Sequence, residues 1–165
     1  MIIKNTKLDG VLKIIQDRVF EDFRGYYRET YNKREYAAVS SVEFVQDDIS
    51  VSYKGVLRGI HGDSGTWKLI SCLKGKFYLV AVNNDPTHSQ YREWESFILS
   101  ESNNVQILIP PKFGNGHLVL EDNTIFHYKQ STYYGEYDQF TLKWNDPILN
   151  IFWPVNNPIL SERDK

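Results

Sequence analysis

Apolar and polar residues alternate along several short segments of the chain. The segments with this character are SVEFVQDDISVS, KLISCLKG, KFYLVAVN, REWESFILS, VQILIPP, TIFHYKQS and QFTLKWND. They are rich in Val, Ile, Tyr, Phe and Thr, and turn residues lie between them. A period of two is typical of a strand that buries one face. The pattern therefore predicts an all-β protein, folded as a sandwich or a barrel.

The residues between these segments predict the connections. Gly75 lies at the centre of LKGKF, which predicts a hairpin-like turn, and VNNDPTHS is typical of a loop. Helical periodicity is weak, and its best candidate is a short segment near Tyr31 to Tyr36. The chain has no repeat, linker or low-complexity segment, so we predict a single domain over residues 1–165.

Composition and charge exclude several classes of protein. A net charge of -2 argues against electrostatic binding of nucleic acid. No segment approaches the roughly 18 apolar residues of a membrane span, and MIIKNTKLDG lacks the apolar core of a signal peptide. We therefore expect a cytoplasmic protein that binds neither nucleic acid nor membrane. The single cysteine, Cys72, excludes an internal disulfide and is expected to be a small buried side chain.

The segment GVLRGIHGDSGTWKLISC places Arg58, His61 and Lys68 just before an apolar run. His61 and His117 both follow glycine-containing segments, where functional side chains often lie. We expect His88 to be solvated in its loop and His127 to lie on the outer face of its strand. Alternation in TIFHYKQS places Tyr128 on the inner face with Thr124 and Phe126, where spacing alone favours a core role.

Motifs for most cofactor chemistry are missing from the sequence. It contains no His-x-His pair, and His61 with Asp63 is a weak substitute for a metal site. It also lacks a phosphate-binding glycine loop and a GxSxG nucleophile turn. The sequence therefore favours acid-base chemistry with no metal or other cofactor.

Six segments, in this order, resemble the dTDP-4-dehydrorhamnose 3,5-epimerase family: VFEDFRGYYRETY, GVLRGIH, KL, YKQSTYYGEYDQFTLKWNDP, WP and LSERD. The resemblance extends from about residue 16 to the C-terminus. It implies a cupin-type double-stranded β-helix, or jelly-roll barrel, and a homodimer whose N-terminal strands are exchanged. It implies no metal or redox cofactor. The implied substrate is a nucleoside-diphosphate-linked 4-keto-6-deoxysugar, inverted at C3 and C5 through an enolate during bacterial surface-polysaccharide synthesis.

The resemblance also implies catalytic roles. His61, in the LRG-x-H motif, corresponds to the family's base, and Asp164, in LS-x-x-D, corresponds to the carboxylate that orients it. Lys68 and Arg58 correspond to residues beside the enolate oxygen. Tyr128 corresponds to the acid on the opposite face of the sugar. With the resemblance included, a functional role for Tyr128 is favoured over a core role.

A second group of residues is implied to bind substrate: Phe20, Arg24, Glu29, Gln46, Asp48, Asn115, His117 and Tyr134. The first three are implied to reach the nucleotide of the partner subunit, where Arg24 would bind the diphosphate. We interpret Asp146 as a turn residue before Pro147.

Three departures from the family pattern affect the substrate prediction. The loop GDSGTW is shorter than usual and is expected to reshape the sugar pocket. Asn115 stands where the family has a histidine, with His117 two residues later, and Asp48 stands where asparagine is usual. These features resemble a variant subgroup that includes epimerases of GDP-linked 4-keto-6-deoxy heptoses.

Several alternatives stay open at this point. The nucleotide is dTDP, GDP or CDP, the sugar is a hexose or a heptose, and inversion occurs at C3 alone or at both carbons. A 3,4-ketoisomerase of the same barrel class is disfavoured, because a second histidine would be expected close behind His61. A non-catalytic cupin that binds sugar nucleotides would need Arg24 and Glu29 but not the pair of His61 and Asp164.

Overall fold

The computed structural model describes residues 1–165 as two antiparallel sheets that face each other across an apolar core. The six-stranded sheet contains, in spatial order, β1 (Ile2–Asn5), β2 (Leu12–Ile15), β10 (Val105–Ile109), β7 (Lys68–Lys74), β12 (Thr124–Gln130) and β5 (Gln46–Ser52). The five-stranded sheet contains β13 (Phe140–Thr141), β6 (Leu57–Gly62), β11 (Phe113–Val119), β8 (Lys76–Asn83) and β9 (Trp94–Ser100). This jelly-roll barrel confirms the predicted all-β, cupin-type fold.

Two elements lie outside the barrel sheets. The strands β3 (Val19–Asp22) and β4 (Gly25–Arg28) pair only with each other. The helix α1 (Lys33–Tyr36) is a single turn in the segment that was expected to be helical. It is capped by Asn32, whose side chain accepts a hydrogen bond from the backbone N–H of Arg34. No helix has the length and apolar character that crossing a membrane requires.

Strand β8 explains how the core is built, because it is buried on both faces. Phe77 and Leu79 point into the space between the sheets, where they join Ile70 and Phe126 of the opposite sheet. The alternate residues of β8 pack on the other side against a second cluster that includes Trp153. A strand covered on both faces is expected to be almost continuously apolar, as KFYLVAVN is.

Two glycine-rich strands, β6 and β11, were not predicted from the alternation of apolar and polar residues. A Cβ atom at Gly59 would lie 2.6 Å from the backbone oxygen of Asn115, and one at Gly62 would lie 2.3 Å from that of Phe113. Only glycine therefore allows the two backbones to approach this closely. The same pairing sets Asn115 opposite His61 and His117 opposite Arg58.

Some predicted strands and turns are wrong in extent or kind. SVEFVQDDISVS is a strand only over Gln46–Ser52, and QFTLKWND only over Phe140–Thr141. The turn at Gly75 has a φ of 75°, but it is not a hairpin, because β7 and β8 belong to different sheets. A Cβ atom at Gly75 would lie 2.4 Å from Oγ1 of Thr124, so glycine lets the chain cross between the sheets beside β12.

The C-terminal segment is bound to the start of β6. The backbone N–H of Leu57 donates to the carbonyl of Ile159 at 3.0 Å, and the N–H of Ile159 donates to the carbonyl of Gly55 at 2.8 Å. These hydrogen bonds hold the chain end against the five-stranded sheet. They therefore determine where the last residues lie relative to His61.

Candidate active site

A cavity that is open to solvent, with about 780 Å³ of empty space, lies between the two sheets. The five-stranded sheet contributes Arg58, Gly59, His61, Asn115 and His117 to its wall. The six-stranded sheet contributes Ile49, Ser50, Lys68, Phe126, Tyr128 and Gln130, and the rest of the lining is Tyr134, Gln139 and Arg163. All five predicted catalytic residues lie in or beside this cavity.

His61 and Asp164 form a hydrogen-bonded pair. Nε2 of His61 lies 2.7 Å from Oδ1 of Asp164, whose other oxygen accepts a hydrogen bond of 2.8 Å from Oγ of Ser161. Asp164 is buried and His61 is partly exposed to the cavity. An ionised Asp164 selects the tautomer with a proton on Nε2, which leaves the lone pair on Nδ1.

Burial lowers the pKa of His61, and the neighbouring carboxylate of Asp164 opposes that shift only in part. The ring is therefore neutral near pH 7. A neutral imidazole beside an open cavity can accept a proton from a bound molecule.

Two cationic side chains line the same cavity. Lys68 is 8% exposed, and its Nζ donates a hydrogen bond of 3.3 Å to Oδ1 of Asn115. Burial lowers the pKa of Lys68. Arg58 donates from Nε to Oγ of Ser52 at 3.1 Å. Fixed cations in a partly dry cavity can stabilise negative charge on an oxygen atom.

Tyr128 lies on β12, in the sheet opposite to that of His61, and packs on Phe126 with ring centroids 5.5 Å apart. Burial raises the pKa of Tyr128, and the charge of Asp48 adds to that increase. The phenol is therefore protonated near neutral pH and can donate its proton. The two walls of the cavity thus present a base on one side and an acid on the other.

His117 lies deeper in the cavity wall and is almost fully buried. Its ring stacks on Phe126 with the centroids 4.0 Å apart and the planes 7° apart. Burial, together with the positive charge of Arg58, lowers the pKa of His117 to about 3. Nε2 of His117 has no hydrogen-bond partner.

Three predicted binding residues meet at the rim of the cavity. Asp48 accepts hydrogen bonds from the side-chain amides of Gln46 at 2.8 Å and Gln130 at 2.9 Å. The side-chain oxygen of Gln46 accepts a hydrogen bond of 2.8 Å from the backbone N–H of Tyr134. Tyr134 therefore lines the cavity, whereas Gln46 and Asp48 hold the rim in place without lining it.

Within the chain, the structure does not bring Phe20, Arg24 and Glu29 to the cavity. Phe20 and Arg24 lie on the exposed hairpin of β3 and β4, and Arg24 forms an ion pair of 2.5 Å with Asp22. Glu29 follows that hairpin and accepts a hydrogen bond of 3.3 Å from Asn32. None of the three therefore lines the cavity that contains His61 and Tyr128.

The loop GDSGTW, which was expected to reshape the sugar pocket, does not itself line the cavity. It forms a tight turn in which Oδ1 of Asp63 accepts from the backbone N–H groups of Gly65 at 3.0 Å and Thr66 at 2.7 Å. The turn leads directly into Lys68. It is also bound to the segment that precedes the cavity residue Tyr134, since Oγ1 of Thr66 lies 2.7 Å from Oγ1 of Thr132.

His127 lies on the outer face of β12, as predicted, but it is buried there. Its Nδ1 lies 2.7 Å from Oγ of Ser71, and its Nε2 lies 2.5 Å from Oδ1 of Asp47. Cys72 is buried as predicted, and Asp146 is a turn residue that accepts from the N–H of Ile148 at 2.8 Å. No group of three or more His, Cys, Asp or Glu side chains is placed to hold a metal ion.

Some cavity residues were missed by the motif comparison. Phe126 and Gln130 share the face of Tyr128, so strand alternation contains the signal that would have found them. Ser50 likewise shares one face of β5 with Asp48, two residues away. Arg163 follows from no local pattern, since it reaches the cavity only because the C-terminal segment folds back.

The chain is similar to known proteins along almost its whole length. Residues 5–165 match the family profile described as dTDP-4-dehydrorhamnose 3,5-epimerase. The protein of that name from Shigella flexneri is 38% identical over 99% of this chain and 93% of its own length. A Streptomyces niveus protein named dTDP-4-dehydrorhamnose 3-epimerase is 27% identical over 100% of this chain and 82% of its own.

A solved structure shows the same fold. The dTDP-6-deoxy-D-glucose-3,5-epimerase of Legionella pneumophila, in complex with dTDP-4-keto-L-rhamnose, superposes with a TM-score of 0.92. Its sequence is 35% identical, and the match covers 98% of this chain and 88% of that one.

Proposed function

This chain belongs to the dTDP-4-dehydrorhamnose 3,5-epimerase family, and we propose that it inverts C3 and C5 of a dTDP-linked 4-keto-6-deoxysugar. It is an isomerase by that membership. The observation that carries the proposal is the cavity in which the pair of His61 and Asp164 faces Tyr128. The expected product is an activated sugar for surface-polysaccharide synthesis.

Proton removal is the first step. The hydrogens on C3 and C5 are acidic because each carbon adjoins the C4 ketone. Nδ1 of His61 takes the proton from one of these carbons, and the electron pair of the broken C–H bond moves into the enolate. Asp164 stabilises the imidazolium that forms, through its hydrogen bond to Nε2. A positioned base of this kind contributes roughly 100- to 10,000-fold to the rate.

The enolate oxygen then carries the negative charge. Lys68 and Arg58 lie on the cavity wall and supply positive charge where that oxygen develops. Asn115 holds the Lys68 amine in place through its side-chain oxygen. These cations lower the barrier because they are already oriented before the proton leaves.

Proton return completes the inversion. Tyr128 lies on the wall opposite His61 and donates its phenolic proton to the other face of the same carbon. The electron pair returns from the enolate to the new C–H bond, and the ketone reforms. The imidazolium and the phenolate regain their starting states by proton exchange with solvent. The same proton transfers at the second carbon give the doubly inverted sugar.

We propose that the active form is a homodimer in which β3 and β4 reach the partner's site. Phe23 at the tip of this hairpin is 98% exposed, and Tyr27, which pairs with Phe20, is 68% exposed. Exposed aromatic clusters of this kind are typical of interaction surfaces. The base of the hairpin is anchored, since Arg28 donates to the carbonyls of Glu101 at 2.8 Å and Cys72 at 2.9 Å.

The dimer gives the remaining predicted binding residues a role. Arg24, at the hairpin tip, presents a planar cation that suits a diphosphate, and Phe20 presents a flat apolar ring for a nucleoside. Glu29 lies where the hairpin returns to the barrel. The substrate would then be held by two subunits, with Tyr134 at the near rim of the cavity and Gln46 and Asp48 supporting that rim.

Solvent exchange tests the proposed reaction. The enzyme is incubated in D₂O with dTDP-, GDP- and CDP-linked 4-keto-6-deoxysugars, and NMR locates the deuterium and the configuration of the product. We expect inversion and exchange at C3 and C5, fastest with the dTDP sugar. Exchange at C3 alone would identify a C3-only epimerase, as the Streptomyces niveus relative is named. No exchange with any sugar would favour a non-catalytic binding protein.

A further inference from the structure

Three buried side-chain atoms in this structure lack a hydrogen-bond partner, and two of them belong to residues that line the cavity. These are Oγ of Ser50 and Nε2 of His117. The third, Nδ2 of Asn83, belongs to a residue outside it. A buried polar atom without a partner is destabilising, so such atoms are rare in native proteins.

Packing alone does not explain why a histidine stands at position 117. Its ring is stacked on Phe126 and lies 5.4 Å from the ring of Phe77, so the position requires only a flat apolar ring. A phenylalanine would satisfy those contacts and would leave no polar atom unpaired. A ligand in the cavity that supplies the missing partner would explain the imidazole.

The protonation state of His117 limits the kind of ligand. Burial and the nearby guanidinium of Arg58 hold its pKa at about 3, so the ring is neutral at working pH. A neutral imidazole has one donor and one acceptor nitrogen, and the hydroxyl of Ser50 is likewise both donor and acceptor. Groups of this kind pair well with a neutral hydroxyl, which can also both donate and accept.

We propose that His117 and Ser50 form a polar subsite for the C2 hydroxyl of the sugar. This inference rests on the proposed function, because it takes the sugar in the cavity to be a 4-keto-6-deoxysugar. In that sugar C4 carries a ketone, C6 carries no hydroxyl, and the C3 hydroxyl changes its orientation during inversion. The C2 hydroxyl keeps its configuration throughout, so a fixed pair of groups can hold it at every stage.

An interaction that is present at every stage affects binding and not the chemical step. Removing it raises KM and leaves kcat almost unchanged, since substrate and transition state lose the same stabilisation. A neutral hydrogen bond of this kind corresponds to about a 2- to 10-fold change in KM. For a substrate that lacks the C2 hydroxyl, KM should be the same with and without this interaction.

The test is His117→Phe, which keeps the stacking on Phe126 and removes both ring nitrogens. KM and kcat are measured for the dTDP-linked 4-keto-6-deoxyglucose and for the corresponding 2-deoxy sugar. We expect KM to rise about 2- to 10-fold for the first substrate and to stay constant for the second. Ser50→Ala, which removes only a hydroxyl group, should also raise KM for the first substrate and leave KM for the second unchanged. His88→Phe, in a loop outside the cavity, is the matched control and should change neither constant.

Equal changes in KM for the two sugars, or no change in either variant, would overturn the subsite while leaving the epimerase activity intact. Wild-type enzyme that turns over neither sugar would overturn the proposed function and the subsite with it. A thermal melt of each variant separates a binding defect from a folding defect, and Ser50→Ala decides the matter if His117→Phe fails to fold.

Discussion

The hydrogen bond between His61 and Asp164 joins residues that are 103 positions apart in the chain. It exists because Ile159 pairs with the backbone at the start of β6 and so brings the chain end back to the cavity. The C-terminal segment is therefore part of the candidate active site. Ser161 belongs to the same arrangement, since its hydroxyl donates to the second oxygen of Asp164.

The first prediction concerns Asp164→Asn. An asparagine amide donates a hydrogen bond to Nε2, which forces the ring proton onto Nδ1 and removes the lone pair that the base needs. We expect kcat to fall by about 100- to 10,000-fold with little change in melting temperature. Steady-state kinetics and a thermal melt measure both. Glu162→Gln, at an exposed neighbouring position, is the control, and wild-type kcat in Asp164→Asn would exclude the orienting role.

The second prediction concerns the pH dependence of kcat/KM. Burial lowers the pKa of His61 below 6.5, so the base stays neutral at pH 6.5 and becomes protonated only at lower pH. The acid limb of the profile should therefore have an apparent pKa below 6.5. Because the Asp164 carboxylate raises the pKa of His61, the limb should move to still lower pH in Asp164→Asn. An acid limb above 6.5 would contradict the assignment of His61 as the base.

The third prediction concerns stability at acid pH. His117 has a pKa of about 3 in the native state and about 6.5 when unfolded. Between these values the unfolded chain binds a proton that the native protein does not, so the free energy of unfolding decreases as pH falls. The contribution is about 1.4 kcal/mol per pH unit.

Urea unfolding of the wild type and of His117→Phe between pH 6 and pH 5 measures this contribution. The wild type should lose stability more steeply than the variant, by about 1.4 kcal/mol over that unit. His61 and His127 titrate in the same direction and remain in both proteins, so they cancel in the comparison. Equal slopes would show that His117 is not held neutral by burial.

The fourth prediction tests the shared site of the proposed dimer. His61→Asn inactivates a site from within its own subunit, whereas Arg24→Ala inactivates the site of the partner. A heterodimer of the two variants therefore contains one intact site. After subunit exchange, an equal mixture should recover about a quarter of wild-type activity, because half of the dimers are mixed and each has one working site.

Two controls accompany the mixing experiment. Light scattering should give the mass of a dimer for each protein, and each variant alone should stay inactive. Recovery should require time or mild denaturant for subunit exchange. A mixture that stays as inactive as its components, although mixed dimers are detected, would show that Arg24 does not act across the interface.

The sequence predicted the core strands well because their signal is local. KFYLVAVN is almost continuously apolar and TIFHYKQS alternates, so β8 and the inner face of β12, with Tyr128, could be recognised without any partner strand. The glycine-rich strands β6 and β11 have no such signal. Their glycines are needed for close approach to each other, which is a property of the folded pair and not of either segment.

Long-range relationships were predicted only through the resemblance. Nothing near Asp164 in the chain indicates that its carboxylate lies 2.7 Å from His61. The turn at Gly75 shows the same limit, since local residues predict the turn but not the sheet to which the next strand belongs. The buried contacts of His127 with Ser71 and Asp47 likewise depend on three strands that lie together only in the folded sheet.

The role of His61 as the base is tested by deuterium incorporation from solvent, with wild type and His61→Asn measured side by side on the dTDP-linked 4-keto-6-deoxyglucose. We expect the wild type to incorporate deuterium at both C3 and C5 and His61→Asn to slow exchange at both carbons by about 100- to 10,000-fold. Wild-type rates of exchange in His61→Asn, or no exchange by the wild type at either carbon, would contradict it.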